Sequence, residues 1–169
     1  MDATDIPALI KSPQSCSEAE IEDFIAFVLA GAEVSSDGLK ERVCSSEMLA
    51  FYREDTCLLG IAGLKRPSDH HRGEVSAGAK IQLPAKKFPF ELGWVFVLPS
   101  ARGKRISPKL CKPLVEAAKG QGIFSTSRKE NEYMHKTLYR LEFSLAGQPY
   151  ESIRGDYELQ VFLRSPVLG

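Results

Sequence analysis

The sequence predicts one mixed α/β domain over residues 1–169, with helices and strands interleaved. Three observations carry that reading. A capped amphipathic helix opens the chain, a strand runs through a glycine-containing turn into a helix after residue 91, and the last segment alternates apolar with polar residues.

In chain order, residues 6–10 read as a short first strand. Ser17-Glu18-Ala19-Glu20 is a capping box, in which the Ser and Glu side chains satisfy each other's backbone donors. Ile21, Phe24, Ile25 and Val28 follow at helical spacing, and Gly31 stops the helix. Residues 37–44 read as a second, shorter helix. Residues 48–53 and 56–65 form a hairpin turning at Glu54-Asp55. Residues 67–89, rich in Gly, Pro, His and Lys, read as a long loop with a strand near residues 79–83, and long loops in compact domains are often binding loops. Residues 91–98 form a strand whose Trp94-Val95-Phe96-Val97 core is apolar on both faces, which places it centrally in the sheet. A helix follows, with Leu110, Leu114, Ala117 and Ala118 on one face and a stop at Gly120 or Gly122. Residues 123–127 are a short strand and residues 131–141 a helix with Met134, Leu138 and Leu141 facing inward. Tyr157, Leu159, Val161 and Leu163 alternate with polar residues in a last, half-buried strand.

Lys and Arg number 22 and so do Asp and Glu, for a net charge of zero, which argues against nucleic acid as an obligatory partner. No apolar run approaches the ~20 residues of a membrane span, and the first fifteen residues lack the basic and apolar regions of a signal peptide. The expected setting is therefore cytoplasmic, without a membrane partner. Cys16, Cys44, Cys57 and Cys111 are scattered, show no metal-ligand spacing, and read as free thiols. No metal site is expected.

The most informative stretch runs from Val95 through Ser107: a strand, a tight turn and a helix start. Free N–H groups at a helix N-terminus bind anions, and the helix dipole adds to them. Ser107-Pro108 suits an N-cap and first helical position. Arg102, Lys104, Arg105 and Lys109 surround the turn with positive charge, a setting suited to a pyrophosphate.

On these residues the chain resembles the GNAT acetyltransferases. Their cofactor loop follows the fourth strand and reads Arg/Gln-x-x-Gly-x-Gly/Ala, often after Val-x-Pro-x-x, and here stands Val97-Leu98-Pro99-Ser100-Ala101-Arg102-Gly103-Lys104. Arg105 and Ser107 take the places of the two motif glycines. Arg105 either obstructs the close approach of a phosphate or turns outward and adds a contact to it. The family also starts its next helix with an Asn and ends it with Gly-Phe twelve residues later; Asn131 and Phe143 keep that distance, with Glu142 in place of the Gly. The resemblance implies a central, mostly antiparallel sheet with a splayed strand pair flanked by helices, and acetyl-CoA as the cofactor.

By the same resemblance, Phe96 and Val97 pair with the pantetheine arm. Arg102, Gly103, Lys104, Arg105, Ile106 and Ser107 take the pyrophosphate, and Asn131 bonds the arm. Glu91 corresponds to the general base of the histone-acetyltransferase members, and burial among Phe88, Phe90 and Trp94 would raise its pKa toward a useful range. Otherwise it is a sheet-end Glu paired with a Lys. The family's general acid is a Tyr whose position falls on Leu138. Tyr139 lies one residue, or ~100° of helix, further on, and Tyr133 is a second candidate. His70 and His71 read either as acceptor-binding or basic groups, or as part of a solvated loop.

The resulting expectation is an N-acetyltransferase that passes the acetyl group of acetyl-CoA to an amine, small-molecule or protein, by direct attack in a ternary complex. The loop at residues 67–89 would shape the acceptor pocket. The competing expectation is a weak or inactive GNAT-like module that binds acyl-CoA or an interaction partner. The oligomeric state is left open, a homodimer included.

Overall fold

The computed structural model describes residues 6–31 and 34–167. Its elements are β1 (Leu9–Lys11), α1 (Glu18–Ala30), α2 (Leu39–Cys44), β2 (Met48–Glu54), β3 (Cys57–Lys65), α3 (Asp69–Ala79), β4 (Phe90–Val97), α4 (Ile106–Ala117), β5 (Ile123–Arg128), α5 (Glu132–Arg140), β6 (Ser144–Glu151) and β7 (Glu158–Arg164). The strands form a seven-stranded sheet in the order β1-β2-β3-β4-β5-β7-β6. The β1–β2, β2–β3, β5–β7 and β6–β7 ladders are antiparallel and β4–β5 is parallel. This is the mostly antiparallel mixed sheet that the resemblance implies, with β4 at its middle.

The chain forms two compact units. One takes the described residues of Met1–Lys65 and Gly93–Ala117, the other Arg66–Leu92 and the described residues of Ala118–Gly169.

In the first unit α1 begins as the capping box requires. Ser17 Oγ accepts the Glu20 N–H at 3.1 Å, and Glu20 Oε1 accepts the Ser17 N–H at 2.9 Å. Lys11 adds an ion pair to Glu20 at 3.0 Å. Ile21, Phe24 and Val28 of α1 join Leu39 and Val43 of α2 and Leu49, Phe51, Leu58 and Ile61 of the hairpin in one core. Phe24 meets Phe51 and Trp94 edge-on, with ring centroids 5.6 and 5.8 Å apart, a favoured aromatic geometry. The first strand lies slightly later than residues 6–10. α4 packs on β3 closely because residue 60 is Gly: a Cβ there would stand 3.1 Å from both Ile106 Cγ2 and Leu110 Cδ1.

The second unit corrects the reading of residues 67–89. There is no strand at residues 79–83; α3 occupies Asp69–Ala79 instead, and Ser68 Oγ caps it by accepting the His71 N–H at 3.1 Å. Gly73 and Gly78 lower its helix propensity, but Arg72, Val75 and Ala79 share one buried face. Val75 and Ala79 pack with Leu83, Phe88, Phe124 and Val161. Gly78 is required by packing, since a Cβ would fall 2.6 Å from Tyr150 Cδ2. Arg72 Nη1 donates to the carbonyls of Leu83 at 3.1 Å and Phe88 at 2.7 Å, closing the segment after α3 back onto the helix.

β6 has no counterpart in the sequence reading, because Ser144-Leu145-Ala146-Gly147-Gln148-Pro149-Tyr150-Glu151 lacks alternation. It forms the last strand of the sheet order, with a register shift between Ala146 and Tyr150, Gly147 at φ +68° and Pro149 inside the irregular stretch.

Candidate active site

In the first unit the passage from β4 to α4 has the predicted strand–turn–helix form. Pro99–Ala101 make a single 3₁₀ turn, and Leu98 N–H bonds Leu59 O at 2.9 Å, holding the end of the strand to β3. Val97 is buried and Phe96 half-buried. Arg102 Nε donates to Val97 O at 3.2 Å, and its guanidinium lies 5.9 Å from the Phe96 ring centroid. That arginine is thus folded back along the strand it follows. Gly103 stands at φ +90° with nothing within 4 Å of where a Cβ would be. Lys104 pairs with Glu54 at 3.7 Å. Arg105 adopts φ +59°, a conformation that favours glycine. The arginine at the first family glycine's position thus holds a backbone shape that glycine adopts freely.

The start of α4 departs from expectation. Ser107-Pro108 is not the N-cap and first helical position: the helix begins at Ile106, so Ser107 is its second residue and Pro108 its third. The left-handed residue at 105 turns the chain into the helix before Ser107 is reached, and Pro108 is tolerated because first-turn N–H groups have no intrahelical acceptor. Ile106 is 2% exposed and packs below Gly60 beside Leu110, so its contribution to any ligand is its backbone N–H. The arrangement offers helix N-terminal N–H groups, an open glycine and a fringe of cations, a donor set that fits a diphosphate.

In the second unit β4 pairs with β5 at Phe90↔Ile123 and Glu91↔Phe124, and Ser125 Oγ donates to Leu92 O at 2.8 Å. The Glu91 side chain is only 4% exposed. His71 Nε2 lies 3.1 Å from each Glu91 carboxylate oxygen. His71 belongs to α3, not to a solvated loop. The helix signal was in the sequence as Ser68-Asp69 ahead of Arg72, Val75 and Ala79 on one face, with Gly73 and Gly78 obscuring it. His70, mostly exposed, pairs with Glu74 at 3.1 Å. Tyr150 OH is raised to about 12 by burial, reinforced by Glu91 and Glu74. Burial also lowers the Arg72 guanidinium, against the opposing pull of Asp69 and Glu91.

Asn131 caps α5, with Oδ1 accepting the Met134 N–H at 3.1 Å. Its amide NH₂ is not used by that bond. Leu138, at the family's Tyr position, is fully buried. Tyr139 is about half exposed, with its ring edge-on to Phe162 at 5.7 Å. Tyr133 is equally exposed. After α5, Glu142 has φ +70° and Phe143 N–H reaches back to Leu138 O at 3.0 Å, a helix stop of the kind glycine usually provides. Here too a non-glycine holds a backbone shape that glycine adopts freely.

Among the described residues no group of three or more His, Cys, Asp or Glu could hold a metal ion, and no helix is long and apolar enough to cross a membrane.

The model of the Acetyltransferase (GNAT) family matches residues 16–143. Three solved structures share the fold at low identity. An acyl-CoA N-acyltransferase from Pseudomonas aeruginosa is 13% identical with a TM-score of 0.67, over 93% of this chain and 97% of its own. The yncA protein from Salmonella typhimurium, solved with its cofactor acetyl-CoA, is 16% identical with a TM-score of 0.65, over 94% of each chain. The ribosomal-protein-alanine N-acetyltransferase from Brucella melitensis is 16% identical with a TM-score of 0.64, over 93% of this chain and 99% of its own. No curated protein sequence matches the chain. Acetyl-CoA is the cofactor of the matching family. The match runs from just before α1 to the end of the α5 stop, and on it the chain belongs to the GNAT acetyltransferase family.

Proposed function

We propose that this chain is an N-acetyltransferase, one catalytic domain of 169 residues acting in the cytoplasm, which transfers the acetyl group of acetyl-CoA directly to an amine. The observation that carries the reading is the turn at residues 102–107, where Gly103 and Arg105 both adopt left-handed backbone ahead of α4. Positive φ at both positions bends the turn just ahead of the positive end of a helix, a setting that suits a diphosphate. In this reading the N–H groups of Gly103, Lys104, Arg105, Ile106 and Ser107 hold the diphosphate, with Arg102, Lys104 and Arg105 supplying charge. Phe96 and Val97 offer strand hydrogen bonds to the pantetheine arm, and the Asn131 amide NH₂ donates to it. Glu91 belongs to the basic group that an amine acceptor requires, and Tyr139 is the candidate donor of a proton to the departing thiolate.

A second reading, an acyl-CoA-binding module with weak or no turnover, draws on the burial of Leu138 where the family carries its acid. Calorimetry with acetyl-CoA, followed by thiol release over a panel of primary amines (spermidine, tyramine, phosphinothricin and a peptide with N-terminal alanine), separates the two. Acceptor-dependent CoA release supports the transferase; tight binding without release supports the module. Gly103→Asp places a carboxylate and a Cβ at φ +90° and should weaken acetyl-CoA binding at least about tenfold, the effect of roughly 1.4 kcal/mol. Unchanged affinity would remove the turn from the site.

A further inference from the structure

The pairing of His71 with Glu91 is an arrangement that the transferase reading does not use. Glu91 is nearly sealed, with 4% of its side chain exposed, whereas 40% of the His71 side chain is exposed. Both carboxylate oxygens of Glu91 lie 3.1 Å from one nitrogen, Nε2 of His71. An ionised carboxylate only accepts hydrogen bonds, so with Glu91 ionised Nε2 carries the hydrogen, and in the neutral ring Nδ1 keeps its lone pair. His71 is itself held from behind, its backbone N–H bonded to the capping Ser68. A buried carboxylate that fixes the tautomer and tilt of a half-exposed imidazole is the arrangement of an oriented general base.

We infer that His71, not Glu91, is the residue that takes the proton from the acceptor amine, with Glu91 as the positioning residue behind it. The inference rests on the transferase reading. The acceptor arrives as an ammonium ion, and its nitrogen loses two protons in all. One passes to His71 Nδ1 and from there to water. The freed nitrogen lone pair then forms the C–N bond to the acetyl carbon as the C–S bond breaks, and the second proton ends on the sulfur of CoA. The sum is ammonium plus acetyl-CoA giving acetamide, CoA thiol and one released proton. Charged and titratable groups near the pair include Asp69, His70, Arg72 and Glu74 on α3 and Tyr150 on β6. Buried Arg72 and half-buried Tyr150 both feel the charge of Glu91.

Two measurements test this. The first needs no turnover: long-range ¹H–¹⁵N spectra of the full chain, which has three His, with His71 assigned by its loss in His71→Gln. The expected result is a neutral ring protonated at Nε2, and a change of that signature in Glu91→Gln. A ring protonated at Nδ1 overturns the inference. The second is steady-state kinetics with acetyl-CoA and whichever panel amine the wild type acetylates. His71→Gln should lower kcat about 10²-fold or more, leave the KM for acetyl-CoA unchanged, and abolish the acidic limb of the kcat/KM pH profile. Glu91→Gln should cost less and keep a displaced limb. If His71→Gln matches wild type while Glu91→Gln is inactive, Glu91 is the base and the inference falls alone. If the wild type binds acetyl-CoA but acetylates none of the amines, the transferase reading falls and takes the inference with it. Melting temperatures within 2 °C of wild type, on the order of 1 kcal/mol or less, show that the variants are folded.

Discussion

Glu142 offers a quantitative test of whether the helix stop after α5 carries strain. The residue holds φ +70° where an L-residue is at a disadvantage of roughly 1–2 kcal/mol. Replacing it with Gly removes that cost, but glycine's extra freedom in the unfolded chain returns about 0.5–1 kcal/mol. The substitution also removes the ion pair from Glu142 to Arg164 at 3.4 Å, whose carboxylate is 80% exposed; such pairs contribute a few tenths of a kcal/mol, about 0.3. Arg164 keeps its Nε bond to Leu141 O at 3.0 Å. The balance is a stabilisation of roughly 0.5 kcal/mol for Glu142→Gly. Glu142→Val loses the same ion pair and adds a β-branched side chain at positive φ, for a further cost of about 1–2 kcal/mol. The Gly and Val variants should therefore differ by about 2 kcal/mol, or about 4–8 °C in Tm for a chain of this size. Thermal melts of wild type and the Gly, Asn and Val variants in one buffer measure the series, with Asn expected between Gly and Glu. Gly and Val variants melting within 1 °C of each other, on the order of a few tenths of a kcal/mol, would refute the claim that the left-handed backbone sets the stability here.

Three other substitutions or conditions give separate checks. Gly122→Ala would drive a Cβ into the carbonyl oxygen of Lys87 and to 2.9 Å from Phe88 Cδ1; backbone cannot yield as a flexible side chain can, so a loss of about 2 kcal/mol or more in urea denaturation is expected. Cys111 is buried and its thiol is pushed up to about 12 by desolvation alone, so Ellman's reagent should modify the exposed Cys44 and Cys57 quickly and reach Cys111 only on unfolding. The Glu20 carboxylate is held low by the Ser17 backbone N–H first and Lys11 next. Its folded pKa lies below the unfolded value near 4.5, so its contribution is present above that pH and lost as pH falls through the folded value. A Tm-against-pH curve for Glu20→Gln should run parallel to wild type above pH 6 and converge on it in acid, about 1 kcal/mol apart at neutral pH.

Where local chemistry decides the conformation, the sequence was legible. The capping box at Ser17 and Glu20 set the start of α1, and apolar character on both faces placed β4 mid-sheet. The Val97 to Lys104 stretch identified the turn that joins β4 to α4. The misreadings share a physical origin in tertiary packing. Gly73 and Gly78 argue against helix by propensity, yet Gly78 is there because Tyr150 occupies the space beside it. A loop over residues 67–89 gives His71 no fixed place, so its meeting with Glu91 follows only from α3. β6 gives no alternation to read because its backbone is irregular between Ala146 and Tyr150. Arg105 and Glu142 stand where the family pattern has glycine. Both hold positive φ, a backbone shape that glycine makes easy and other residues reach at a cost.

The irregular β6 has a bearing on how this protein behaves when crowded. A strand at the end of a sheet invites pairing when it presents an unbroken row of amide and carbonyl groups. In β6, Pro149 deletes one amide hydrogen, Gly147 at φ +68° turns the chain out of plane, and the pairing with β7 skips from Ala146 to Tyr150. A neighbour's strand laid along that rim would find only short runs of partners, so templated fibril growth from this side has no continuous footing.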